Sequence, residues 1–243
     1  MNKNALRGLA VSGLLMMGLT ACGGSSTPTD PSAASKPVTA TPTQVPFKTY
    51  TKAKLGKMVD EVRDSNDVRL LVMPDDRLED TLKQTKAIAT NSTVEPAACA
   101  DFTLGDGILL NEGATLSIGA SASSTADSLV LLTLVSGLTE DKVKEFMTSK
   151  TASLDACGTV QATVMGQNVE ASTKSMPTSS KTDGAVAYKS SAIAPGSGSQ
   201  DQLIVTAAKG GIVIISKSAG KTVQDTDLTK LESMLDQAAA LIK

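Results

Sequence analysis

Apolar positions along this chain switch between two periods, and the switches mark out its elements. Leu55, Met58, Val59 and Val62 recur at helical spacing, which predicts an amphipathic helix over about Ala53 to Arg63. Val68 to Met73 is a short apolar run closed by Pro74, either a strand or a link. Asp75 and Asp76 then place negative charge where a second helix would start, and Leu78, Leu82, Ile88 and Ala89 form its stripe. The polar stretch Thr90 to Thr93 reads as a loop. Gly107 to Gly119 carries Ile108, Leu109, Leu110, Leu116 and Ile118 in one or two strands around the turn Asn111-Glu112-Gly113.

Ser128 to Val135 is apolar enough for a central strand. A third helix follows, with Thr139 as N-cap, Leu138 and Val143 as a staple, and Phe146, Met147 and Leu154 continuing its face. From Val160 the period falls to two. Val160, Ala162 and Val164 alternate with polar residues, as do Val169 and Ala171 beyond a turn at Gly166-Gln167. Ala185 to Ala194 predicts another strand, and Pro195 to Gln200 a flexible connection. Leu203 to Ala207 and Ile212 to Ile215 pair across Lys209-Gly210-Gly211, before a final helix from about Thr226 with Leu228, Leu231, Met234, Leu235 and Ile242 inward. Helices at both ends of at least five meandering strands predict an α+β domain, a twisted antiparallel sheet packed by amphipathic helices.

Ahead of that domain the pattern is different. Lys3 and Arg7 precede an apolar run from Leu9 to Leu19 that is too short for a spanning helix and fits an export signal. It ends in Leu19-Thr20-Ala21-Cys22-Gly23-Gly24, which looks like the site where bacterial lipoprotein signals are cut and the cysteine is diacylated. The other reading is an ordinary signal cut after Ala21, leaving Cys22 as a thiol. Five of the nine prolines lie between residues 23 and 51 in a Gly/Ser/Thr/Ala background, a composition unable to bury enough apolar surface to order itself. The expected organisation is a signal peptide over 1–21, a lipidated Cys22 and linker over 22–51, and a single extracytoplasmic domain over 52–243.

Charge and composition remove several functions. Without residues 1–21 the chain has 21 basic and 25 acidic side chains, a net −4, so it lacks the basic excess that nucleic acid demands. It contains no His and no Trp. His-based triads and dyads cannot be built, and zinc loses its commonest ligand. No metal or cofactor is expected. Ser218 and Lys221 have Ser-x-x-Lys spacing, but Gly220 between them opposes the helical turn such a nucleophile needs. Gly220-Lys221-Thr222 ends like a nucleotide loop, yet Ile215 stands where its first Gly belongs. Asp101, Asp106 and Glu112 are the candidate acids of an enzyme, and turn positions account for them as well. Cys99 and Cys157 are the only cysteines after Cys22, and in an exported domain they predict a disulfide; a redox or metal-binding pair is the alternative.

The run from Met73 through Val94-Glu95-Pro96-Ala97-Ala98-Cys99, then Cys157-Gly158-Thr159-Val160, the hairpins and the closing helix resemble the actinobacterial sensor-domain family over about Val68 to Lys243. That family includes exported lipoproteins and the extracellular domain of a group of mycobacterial receptor Ser/Thr kinases. The resemblance implies a twisted antiparallel sheet backed by helices, with a cleft for an extracellular ligand. It carries no ligand-contacting residues onto this sequence. Three functions compete: a membrane-tethered sensor-like module for a small molecule, lipid or envelope component; a protein-interaction or scaffolding lipoprotein without a small ligand; and an enzyme. The sequence favours the first and points away from the third.

Overall fold

The strands expected from the alternating blocks all join one sheet. The computed structural model describes residues 45–100, 107–122, 124, 128–194, 198–221 and 223–243. Nine strands lie in the order β1-β3-β4-β9-β8-β7-β6-β5-β2, every neighbouring pair antiparallel. They are β1 (Leu71–Val72), β2 (Ser92–Glu95), β3 (Thr115–Ala120), β4 (Ser128–Ser136), β5 (Thr159–Val164), β6 (Gln167–Met176), β7 (Val186–Ala194), β8 (Gly198–Lys209) and β9 (Ile212–Gly220). The described helices are α1 (Lys52–Glu61), α2 (Asp75–Thr90), α3 (Glu140–Ala156) and α4 (Leu228–Ala240). The fold is therefore α+β, with an open antiparallel sheet.

Strand alternation sorts the core into two layers. On one face Leu132, Leu134, Leu203, Val205, Ile212 and Ile214 pack with Leu55, Met58 and Val59 of α1 and Leu231, Met234 and Leu235 of α4. On the other face Ile118, Val135, Ile204, Val213 and Ile215 pack with Leu78 of α2, Val143 and Leu154 of α3, Ile108 and the two cysteines. Thr139 caps α3 as expected, accepting from the Lys142 amide at 3.3 Å, and Thr51 caps α1, accepting from the Lys54 amide at 3.4 Å.

Several local expectations change. The Asn91–Thr93 loop is in large part strand: Ser92 to Glu95 forms the edge strand β2 against β5, because its backbone groups find partners there. Gly107 to Leu110, expected as strand, is a 3-10 turn held by the Asn111 side chain, whose amide donates to the Gly107 carbonyl at 3.3 Å. The flexible connection also shortens, since Ser199 and Gln200 pair with Ile193 and Ala192 and extend β8. The first hairpin turn falls on Met165-Gly166, one residue earlier than the pattern suggested, with both residues at positive φ.

Residues 45–50 lie against this body. The Lys48 amide donates to the Gly210 carbonyl at 3.1 Å, and the Tyr50 amide to Ser136 Oγ at 3.0 Å. Gly211, at φ +85° in the β8–β9 turn, sits so close to the Lys48 backbone that a Cβ there would collide with it. Lys48 Nζ reaches the Lys243 carbonyl at 3.0 Å.

Candidate functional site

The two layers differ in how completely they close. Where α3 crosses its sheet face, a cleft of about 420 Å³ remains between this helix and the Gly107–Leu110 turn. Helical spacing supplies one wall: Lys142, Glu145, Phe146, Ser149, Lys150 and Ser153 recur every three or four residues along α3. The opposite wall is Ile108, Leu110 and Asn111 with Ala98 beyond them, and Leu138 lies at the end where α3 begins. The volume is within the usual range for small-molecule sites.

Three local features hold those walls. The cleft begins at Gly137, at φ +84°, which packs so tightly on the Gly113 carbonyl that any side chain there would strike it. This contact ties the turn after Leu110 to the entry of α3. Leu138 and Val143 are both buried, as a staple requires. At the far end, Cys99 and Cys157 form a disulfide with Cα atoms 5.7 Å apart, joining the segment that carries Ala98 to the C-terminus of α3. The expected bond is therefore present, and its sulfurs lie in the core, away from solvent. Closing a loop of 58 residues stabilises the fold by about 4 kcal/mol in the chain-entropy description.

Lys150 is the residue that sequence reasoning missed. It occupies the apolar stripe of α3 between Phe146 and Leu154 and is only 3% exposed. Its Nζ lies 5.2 Å from the centroid of the Phe146 ring and 5.9 Å from that of Tyr188. Burying an ammonium group is costly, and two aromatic faces offset part of that cost. The signal was present: a lysine at the stripe position after Val143, Phe146 and Met147 breaks the helix's own pattern. Glu112, by contrast, is exposed in its turn, while Asp101 and Asp106 lie outside the described residues. Ser218 is fully buried in β9 and Lys221 is exposed, so no Ser-Lys dyad opens to a cleft. Among the described residues no group of His, Cys, Asp and Glu side chains could hold a metal. Cys22 also lies outside them.

A second polar cluster lies on the opposite layer. Glu232 and Asp236, one turn apart on α4, gather the loop between β6 and β7. Glu232 accepts from Thr178 Oγ1 at 2.7 Å and from the Ser179 amide and hydroxyl at 2.6 Å each. Asp236 accepts from Ser180 Oγ at 2.7 Å, Thr182 Oγ1 at 2.8 Å and the Lys181 amide at 2.9 Å. Burial pushes both carboxyl groups up. The hydrogen bonds outweigh it and hold both below the ordinary carboxylate range, chiefly from Ser179 and Thr178 at Glu232 and from Lys181, Ser180 and Thr182 at Asp236. With every one of these donors turned inward, the cluster is a clamp on the strap, with no opening for a ligand.

No family model and no curated protein matches the chain. Among solved structures it is similar to the extracellular domain of PknH from Mycobacterium tuberculosis, at 11% identity and a TM-score of 0.49, over 79% of this chain and 98% of that one. It is also similar to an uncharacterised protein of Mycobacterium smegmatis, at 17% identity and a TM-score of 0.40, over 62% and 76% of the two chains. The first of these is a mycobacterial extracellular domain, as the order of sequence elements had suggested. Neither likeness transfers a ligand, partner or activity.

Proposed function

We propose that the chain is an extracytoplasmic, sensor-like binding module, anchored through lipid on Cys22, whose ligand site is the cleft between α3 and the Gly107–Leu110 turn. The observation that carries this reading is the cleft itself: a 420 Å³ space lined by polar and apolar side chains in about equal measure, with walls pinned at both ends. Preformed concave sites of this volume are where proteins take small ligands. The disulfide supports an oxidising compartment, and the sequence around Cys22 supports attachment to the outer surface of the cytoplasmic membrane. Diacylation at one cysteine gives a stable anchor because two chains act together.

Native mass spectrometry of the chain purified from its own host tests the site. A bound small molecule is expected, lost when Ile108→Trp fills the cleft; a wild-type chain that carries nothing, or a ligand indifferent to Ile108→Trp, would overturn the assignment. Metabolic labelling with palmitate tests the anchor. Label is expected on the chain and absent from Cys22→Ser.

One observation favours a second reading, a protein-interaction module. Val68, Leu71 and Val72 at the β1 edge are 44%, 62% and 38% exposed, an apolar group on a strand with one open side. Crosslinking from position 71 in intact cells is expected to capture a protein on that reading. Recovering none would set it aside.

A further inference from the structure

The polar side chains of the cleft fall on one line of α3. At about 100° per residue, Lys142, Glu145, Ser149 and Ser153 lie within an arc of about 80°, and all four line the space. Lys150 lies outside that arc, 3% exposed against its aromatic rings, with its ammonium buried away from the opening. Two of the neutral groups have already spent their hydrogens. On the opposite wall the Asn111 side-chain amide donates to the Gly107 and Ile108 carbonyls at 3.3 and 3.5 Å, and the Ser149 hydroxyl donates to the Phe146 carbonyl at 2.9 Å. What Asn111 and Ser149 have left is acceptor oxygen. Lys142 and Glu145 are both exposed, and neither has an ion-pair partner among the described residues, whereas Glu140 and Lys144 on the same helix pair at 2.9 Å. The cleft therefore offers an anion and two neutral acceptors, with one uncommitted cation at Lys142.

We propose, on the reading that the cleft is a ligand site, that it takes a zwitterion of the dipeptide class. The ligand's ammonium group donates to Glu145, Ser149 and Asn111, and its carboxylate accepts from Lys142. Length follows from the helix. The midpoint between Glu145 and Ser149 lies about 7.5 Å along the axis from Lys142, and two extended residues span roughly 7 Å. A primary ammonium brings three hydrogens to three acceptors, so none of them gives up water without a replacement. Charge sets the orientation. A lone cation would be repelled at Lys142 and a lone anion at Glu145, whereas a molecule carrying both signs satisfies the two at once. An apolar side chain on such a peptide rests on Ile108 and Leu138, which line the same space.

Calorimetric titration of the chain from residue 22 to Lys243 carrying Cys22→Ser tests this at about pH 7, where a dipeptide is a zwitterion. The probes are alanyl-leucine, N-acetyl-alanyl-leucine and alanyl-leucine amide. Each blocked form is expected to bind roughly tenfold or more weakly than the free dipeptide. Glu145→Gln should weaken the free dipeptide about fivefold and shrink the penalty of acetylation, and Lys142→Met should do the same for the penalty of amidation. The crossed penalties, amidation in Glu145→Gln and acetylation in Lys142→Met, should stay as in the wild type, a pattern that a merely structural change would not produce. Both side chains are exposed, so both variants are expected to fold, and circular dichroism checks it. Equal affinity for the free and blocked forms, or penalties that survive these substitutions, would overturn the inference. Absence of dipeptide binding would overturn it too. A different molecule displaced by Ile108→Trp in native mass spectrometry would then leave the binding role standing, and no bound molecule at all would remove both.

Discussion

The two faces of the sheet are built from the same kinds of strand and are finished in opposite ways. On the α1/α4 face, α4 buries Leu231, Met234, Leu235, Ala238 and Ala239, and its two carboxylates bind the strap from β6 to β7. On the α2/α3 face, α2 is sixteen residues long yet buries only Leu78, and α3 places Lys150 where a leucine would seal the layer. One layer maximises apolar burial and fastens its strap with two carboxylates. The other gives up burial to keep a space open, and a covalent bond restores part of what that costs. Local stability in proteins is uneven in this way, with ligand sites drawn from the less stable parts.

The largest expected break in this contrast comes from the disulfide. Cys99→Ala with Cys157→Ala should lower stability by about 4 kcal/mol in chemical denaturation, and any ligand affinity should fall with it, because the bond holds one end of the cleft. On the sealed face, Leu235→Ala should cost about 3 kcal/mol in the same assay and leave affinity unchanged. The strap comes next: Glu232→Gln should cost about 2 kcal/mol, since hydrogen bonds to a charged acceptor are replaced by weaker ones. Its pH dependence has a defined sign. Both carboxyl groups sit below their unfolded range, so their contribution is complete above about pH 4.5 and is lost as pH falls through their lower folded values. Thermal unfolding of the wild type between pH 6 and pH 3 should show this loss, and Glu232→Gln with Asp236→Asn should flatten it. The smallest effect belongs to α2, whose amides should exchange with solvent well before those of α4.

What could be read in advance divides along the same line. The stripes of α1 and α4 and the alternation from β5 to β9 were legible, because each is a repeated local period that the sheet then uses as written. The N-cap at Thr139 and the pairing of the two cysteines were legible for a similar reason, few residues having few alternatives. The site was not. Lys150 is visible in sequence as a fault in a stripe, but its rings come from its own helix and from Tyr188 in β7, a partner that no spacing announces. The strap gave no signal, since Thr178 to Thr182 has no apolar pattern and meets its acceptors more than fifty residues away. Ile108 and Leu110 looked like strand because an apolar run of three does not distinguish a strand from a turn buried on one side.

The docking of residues 45–50 has a mechanical consequence. Lys48 grips the turn between β8 and β9, strands with four neighbours on one side and three on the other, and not the two-residue strand at the margin. A pull transmitted through the N-terminal segment therefore loads the middle of the sheet, where many backbone hydrogen bonds share it, and α2, which buries only Leu78, stays outside the line of force.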